Sequence, residues 1–303
     1  MPRYEFVEGT SRKFWEILPS GKSFTTTYGR IGAAGQSTTK KFASEAEASR
    51  QYEKLVVEKI AKGYKLAGEK KPAALPKEAA RAARPIKTKA LKKGATAPAH
   101  FGGDARLAAG EAWPHCKNCK RPMPLFVEMD LAKVKLPKKV SGLLQFFYCN
   151  ATDPLCEVDC ESWDLNDEAM LLRVLPPKQK TAVVACPEVP SPVAARAIDF
   201  GADKTDLPNW EDAADLFGVK DAIDDDEDDA FSRTLVGDKL LGWPNWVQGA
   251  EWPACKQCKK RMQHLLQLES NAGLAHQWGD LGRAHVFLCA DHPARVGFVW
   301  QCG

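Results

Sequence analysis

The chain has 303 residues, 44% of them hydrophobic, and a formal net charge of +4. That is enough for two or three domains with a buried core, and no apolar run approaches the ~20 residues of a membrane span. The charge is uneven: residues 1–100 hold 21 Lys/Arg against 9 Asp/Glu and the remainder 22 against 30, so a basic part and an acidic part predict different partners.

The start, Met1-Pro2-Arg3-Tyr4-Glu5, lacks the basic, apolar and small-residue regions of a signal peptide, and a cytoplasmic protein is expected. In a reducing compartment its ten cysteines point to metal binding or redox chemistry rather than disulfides. Tyr4–Glu8 and Lys13–Leu18 read as strands of a hairpin around Gly9-Thr10-Ser11. Phe24–Tyr28 and Thr38–Phe42 supply two more strands. Ser44 then opens a helix, with Glu47 placed for a capping box; Tyr52, Leu55, Val56 and Ile60 form its apolar stripe, and Gly63 ends it. Residues 1–68 are thus expected to be a small antiparallel sheet covered by one helix. Tyr28, Arg30, Lys40 and Lys41 could form a phosphate-binding strip with a stacking platform, or a solvated basic face in which Gly29 serves backbone geometry.

At Tyr28-Gly29-Arg30-Ile31-Gly32 this module resembles the WGR domain, named for a Trp-Gly-Arg triplet. The resemblance extends to the basic strand with Lys40 and Lys41 and to the end of the helix, Lys62-Gly63-Tyr64. It implies contact with DNA through Tyr28, Gly29, Arg30, Lys40 and Lys41, with Tyr28 standing where the family has tryptophan.

Residues 69–100 turn to Ala, Pro and Lys, with nine basic residues from Lys70 to Lys93 against Glu69 and Glu78. So few bulky apolar side chains predict a basic linker, either a soluble tether or an extension of a nucleic-acid contact.

Residues 101–303 contain one stretch twice. Trp113-Pro114-His115-Cys116-Lys117-Asn118-Cys119 returns as Trp252-Pro253-Ala254-Cys255-Lys256-Gln257-Cys258. A strand follows in each copy, then a Gly (Gly142, Gly282), then a second strand ending in a third cysteine, Cys149 or Cys289. A CxxC turn presents two thiolates to one ion, and two later thiols complete the tetrahedral sulfur set that zinc prefers. The spacing predicts two closed structural zinc sites: Cys116, Cys119, Cys149 and Cys160, and Cys255, Cys258, Cys289 and Cys302. Cys156 is an alternative to Cys160 and His292 to Cys302; Cys186 has no counterpart and reads as a buried free thiol. Redox use is less favoured because neither CxxC opens a helix of a βαβ unit.

Between the halves, about 101–185 and 235–303, Leu171–Val184 reads as a strand pair broken by Pro176-Pro177. The acidic loop at 221–229 reads as a solvated segment, or as a competitor of nucleic acid for the basic linker. Trp278-Gly279-Asp280 either lines a pocket with Arg283 and His285 or marks a tight turn.

Leu143-Leu144-Gln145-Phe146-Phe147, Leu240-Leu241-Gly242-Trp243-Pro244, Leu265-Leu266-Gln267-Leu268 and Trp278-Gly279-Asp280-Leu281-Gly282-Arg283 resemble the signatures of the YwqG-like family, a bacterial group without an assigned activity. The cysteine-bearing halves are also similar to the programmed cell death 2 proteins, whose tandem β units act as adaptors or chaperones. Relatives of this group are proposed as immunity proteins against toxins. These resemblances imply a protein client.

The expected fold class is α+β, mostly β: a WGR-like sheet and helix, then a tandem antiparallel β domain held by two structural zinc ions. No GxSxG elbow, phosphate-binding Gly-rich loop or HExxH is present, so a non-enzymatic protein is expected, binding DNA and a protein client and having no membrane partner. The alternative is a toxin-neutralising immunity protein or client chaperone acting through protein contacts only.

Overall fold

The structure, a computed structural model, describes residues 2–67, 75–92, 94–95, 97–137, 140–152, 156, 169–219 and 234–303. It divides into two compact units, Met1–Lys71 and Pro72–Gly303. The acidic run at 224–229 and Cys160 lie outside the described residues. No helix among the described residues is long and apolar enough to cross a membrane.

The first unit is the expected sheet and helix. Strands β1 (Arg3–Glu8), β2 (Ser11–Ser20), β3 (Ser23–Arg30), β4 (Gln36–Lys41) and β5 (Lys65–Leu66) are antiparallel, in the order β4-β3-β2-β1-β5. Helix α1 (Glu45–Ala61) begins as the sequence predicts: Ser44 Oγ accepts from Glu47 N at 3.2 Å, and the Glu47 carboxylate accepts in return from Ala43 N. Its stripe of Ala48, Tyr52, Leu55 and Val56 covers Tyr4, Trp15, Ile17 and Phe24. Ile60, expected in that stripe, is 55% exposed; Lys59 takes the adjoining place, its ammonium 5.3 Å from the Trp15 ring centre. On the other face Phe14 is capped by Gly29 and Gly35, where any Cβ would come within 3.1 Å and 2.6 Å of its ring. The glycine of the Tyr-Gly-Arg triplet therefore has a packing role.

The second unit is one large antiparallel sheet. Its strands are β6 (Arg81–Ala90), β7 (Ala99–Phe101), β9 (Leu125–Asp130), β10 (Leu143–Tyr148), β11 (Met170–Leu175), β13 (Arg196–Phe200), β15 (Lys239–Leu241), β16 (Gln263–Glu269), β17 (Arg283–Leu288) and β18 (Val296–Gln301). They run in the order β11-β10-β9-β7-β13-β6-β15-β16-β17-β18, with β14 (Lys204–Asp206) also on β6. The end strands β11 and β18 approach each other, making a near-barrel. Its interior is a single apolar cluster in which Phe126, Phe146, Tyr148, Trp278 and Phe298 meet. β8 (Ala105–Ala108) and β12 (Thr181–Val184), far apart in the chain, pair antiparallel as a separate two-stranded sheet, and α2 (Trp210–Phe217) is capped by Asn209 and ended by Gly218 at φ +67. Leu171–Val184 does give two strands, but they pair with β10 and β8 rather than with each other.

The strand order is palindromic about the β13–β6 pair, and the central strands are exchanged. β6 precedes the first copy in the chain yet pairs with β15 of the second; β13 follows the first copy yet pairs with β7. This corrects the expected linker at 69–100, which contains a central strand. Arg81–Ala90 has the composition of a tether, Ile86 being its one bulky apolar residue. Its burial instead uses small side chains, with Ala83 fully buried, and tertiary partners for its cations. The Arg81 guanidinium lies 3.3 Å from the Trp243 ring centre, Arg84 meets Asp203, and Lys89 meets Asp199.

The duplication reaches single residues. β9–β10 and β16–β17 each carry a bulge, and the unpaired residue is Phe126 in one and Leu265 in the other, each three positions past a buried methionine, Met123 or Met262.

Candidate metal centres and nucleic-acid interface

Both CxxC turns are built alike. Cys116 N donates to Arg121 O and Lys120 N to Cys116 O; Cys255 N donates to Lys260 O and Lys259 N to Cys255 O. Lys120 and Lys259 both sit at φ +61, the left-handed residue that closes each knuckle and aims two thiols the same way. Met123 N to Pro114 O and Met262 N to Pro253 O tie each knuckle to its Trp-Pro start. Trp113 stands edge-on to Phe147 at 5.5 Å, and Trp252 edge-on to Phe287 at 5.6 Å.

The third thiol of each copy arrives at the end of β10 or β17. In the first copy the four sulfur atoms of Cys116, Cys119, Cys149 and Cys156 lie within 4.8 Å of one another. Cys116 Sγ is 3.4 Å from Cys156 Sγ and Cys119 Sγ 3.6 Å from Cys149 Sγ. In the second, Cys255, Cys258 and Cys289 are joined by His292, with Cys258–Cys289 sulfurs at 3.6 Å and His292 Nδ1 at 3.6 Å from Cys289 Sγ and 3.9 Å from Cys255 Sγ. A tetrahedral ion with metal–sulfur bonds of about 2.3 Å requires ligand atoms about 3.6–3.8 Å apart. The separations fit such an ion and exceed any S–S bond, and none of the nine cysteines among the described residues forms a disulfide.

Among the described residues the fourth position therefore goes to the alternative in each copy, Cys156 and His292. Cys302, the thiol matched by spacing, is outside the second cluster; its side chain packs beside Gly279 against the barrel core. His292 replaces it because the loop after β17 turns back at once, with Arg295 N donating to His292 O and Cys289 N to Arg295 O. In the first copy Cys156 occupies the corresponding place. Cys186 is half-buried near the first cluster, its thiol pKa raised by burial. Burial likewise pushes Cys116 up to about 11 and raises Cys149, whereas backbone N–H groups of Cys258 and Gln257 bring Cys255 down to about 6. A cation is the natural counter-charge for such a set.

A layer of buried polar groups adjoins each copy. In the first, Glu128 accepts from Arg106 Nε at 2.6 Å, Arg106 N at 2.8 Å and Gln145 Nε2 at 2.9 Å, and faces His100 Nε2 at 3.3 Å. Burial alone would raise its pKa; these bonds, led by His100, bring it down to about 2. In the second, Lys239 Nζ donates to Asp206 Oδ2 at 2.8 Å and to Leu235 O, both side chains being almost wholly buried, and burial lowers Lys239 to about 8. Trp278 is fully buried in the barrel while Arg283 is held by Glu269 and Asn245, so Trp278-Gly279-Asp280 belongs to a turn, with Gly279 at φ +59.

In the first unit the five expected contact residues separate into two groups. Tyr28, 45% exposed, lies opposite Trp15 and shares its face with Arg30, which lies opposite Lys13. Lys59 and Lys62 at the end of α1 complete this corner: burial and then the charges of Lys62 and Lys13 lower the Lys59 pKa. Lys40 and Lys41 pair with Phe24 and Ser23, four or five residues along β3 and roughly 13–17 Å away. The sequence reading missed Lys13, Lys59 and Lys62; the basic helix end before Gly63 was the available signal.

Two families of known proteins match this architecture. The WGR domain model matches residues 3–71, and the model described as Domain of unknown function (DUF1963), the YwqG-like family, matches residues 99–302. The uncharacterized protein YfeS of Escherichia coli (strain K12) is 36% identical over 62 residues, 20% of this chain and 25% of that protein. A crystal structure of a Bacteroides fragilis protein is 36% identical over 22% of this chain and 19% of its own, with a TM-score of 0.22. The chain thus spans about a quarter of the curated relative it matches. With a match running over more than half its length, from the β7 strand to the residue after β18, the chain belongs to the DUF1963 family and carries a WGR domain ahead of it.

Proposed function

We propose that the protein is a non-enzymatic binding protein in which the WGR unit contacts nucleic acid and the duplicated unit, clasped by two zinc ions, presents a surface to a protein client. The observation that carries the nucleic-acid reading is the corner where Lys13 and Lys62 lie close enough to Lys59 to repel it, with Arg30 opposite Lys13 and the exposed Tyr28 opposite Trp15 on the same strand pair. Cations there would neutralise phosphates while the ring stacks on a base or sugar. Arg30 and Tyr28 are the central contacts, Gly29 supports them through Phe14, and Lys40 and Lys41 extend the track along the sheet.

Zinc is the proposed ion because three or four thiolates at tetrahedral spacing suit it, with one imidazole completing the second set. Four protein ligands leave neither ion a coordination position for water, which supports structural clasps over catalysis. The client reading rests on the duplicated architecture alone.

The test is binding of the 303-residue chain to short single-stranded and nicked DNA across a salt series. Affinity should fall steeply with salt, and removing Lys13 and Lys59 together should reduce the log–log slope by about 2. Salt-insensitive or undetectable binding at low salt overturns the nucleic-acid reading. A stoichiometric protein partner combined with no DNA binding would move the chain to the immunity-protein or chaperone alternative.

A further inference from the structure

A cavity of about 550 Å³ opens where the central sheet comes apart. β7 and β13 register at only two positions, Phe101 with Arg196 and His100 with Ala197. Beyond them stands Pro98, which has no N–H to extend a ladder. Residues 97–99 then become one wall and 197–203 the other, with Val134 and Lys135 behind them. The second wall is shaped by an irregularity opposite β6. Phe200 pairs with Ile86 and Lys204 with Ala83, so residues 201–203 face only Arg84 and Pro85, and Gly201 N donates to Pro85 O at 2.8 Å.

That irregularity fixes a cation in the cavity lining. Arg84 is 9% exposed; its Nε donates to Asp203 at 2.5 Å and its Nη1 to Lys135 O at 2.6 Å, and neither bond uses Nη2. Two bonds hold the guanidinium plane before any ligand arrives, so its remaining donor is offered at low entropic cost. The other charges are Lys133, which leans to Asp130 at 3.6 Å, Lys135, and Asp199, held by Lys89 at 2.5 Å. Asp199 thus has Lys89 and Asp203 has Arg84, whose Nη2 takes no part in that pair, so Lys135 is the lining cation with no salt bridge among the described residues, beside apolar Val134, Ile198 and Phe200. Cavities of this size with apolar walls and few convergent polar groups are the usual form of a small-ligand site.

The geometry points to a binding site for a carboxylate with a short apolar body, its oxygens on Arg84 and Lys135 and its body along Val134, Ile198 and Phe200. The shared chemistry has two sources, a free small acid or the carboxyl end of a peptide lying along the open ladder. The site is independent of the WGR unit and of both metal clusters.

The test is calorimetric titration of the full chain with butyrate, with a tripeptide Ala-Val-Val and with its C-terminal amide. Saturable binding should weaken by more than about tenfold in Arg84→Lys, which keeps the charge but loses the planar fork. Ala202→Trp, at an exposed rim residue, should block the cavity without touching Arg84. Thermal melting of both variants checks that they fold. Butyrate binding alone assigns a small acid, and free tripeptide bound in preference to its amide assigns a peptide end. No saturable binding at millimolar concentrations, or binding that survives in folded Ala202→Trp, overturns the site.

Discussion

The two copies of the duplicated unit share a knuckle, a bulge and a tryptophan set edge-on to a phenylalanine, yet they differ in what completes and supports them. The first gathers four thiols and anchors its polar layer on Glu128, which has four polar contacts from three residues. The second takes an imidazole as fourth group and buries a lysine, Lys239, against Asp206. Lys239 and His100 occupy equivalent positions, opposite Gln267 and Glu128 respectively. One architecture thus tolerates opposite buried charges, provided that each charge has a partner from an element the other copy lacks. Asp206 comes from β14 and Arg106 from β8, elements without duplicated counterparts.

Metal removal should have the largest effect on this comparison. A structural zinc is worth on the order of 10 kcal/mol of apparent folding free energy, so with the proposed ion in each cluster chelation should abolish the thermal transition of Pro72–Gly303 and leave that of the WGR unit. Metal analysis separates the copies further. His292→Ala should halve the bound zinc and Cys302→Ala should keep it all, while Cys156→Ala should empty the first site. Two ions retained in His292→Ala would restore the spacing-based set with Cys302.

Next comes the buried pair of the second copy. Lys239→Met strands Asp206 in the interior and should cost about 3–5 kcal/mol in denaturant unfolding. A loss under about 1 kcal/mol would mean that water reaches Asp206.

The first copy should show itself in acid. Glu128 has a folded pKa of about 2, below the usual carboxylate value. Its stabilisation is therefore complete above the unfolded pKa of about 4.3 and is lost as pH falls through about 2; the size at neutral pH is on the order of 3 kcal/mol. Glu128→Gln should flatten that part of the acid limb. Asp238 has the opposite sign: burial raises it to about 6, so protonation below that pH favours the fold, and Asp238→Asn should remove a slope between about pH 4 and 6. The smallest effect expected is from Arg81→Ala, which loses the stack on Trp243 and about 1–2 kcal/mol, read as a lower midpoint in denaturant.

The knuckles were legible in the sequence because their chemistry tolerates few residue types and the chain writes them twice. Ser44, Glu47 and Gly63 marked α1 for the same reason, each answering a local backbone need. What escaped was set by partners far along the chain. Arg81–Ala90 has the composition of a tether, and only Trp243, Asp203 and Asp199 turn its cations into the supports of a strand. The fourth ligand was legible only as a choice of two: Cys302 matches in spacing and His292 stands as its alternative, and the turn that selects His292 is a matter of loop path. Spacing also joined Tyr28 to Lys40 and Lys41, whereas register divides them.

The exchanged central strands carry a consequence for synthesis. Trp243 Nε1 donates to Ala79 O at 2.8 Å across 164 residues of chain, and β6 meets β15 beside it. At a typical rate of about 5–20 residues per second, β6 leaves the ribosome many seconds before the strand that shields its edge. Until then it is an unpaired edge, and the lysines that gave it the look of a tether, Lys87 and Lys89, are the residues that keep such an edge from pairing with a neighbouring nascent chain.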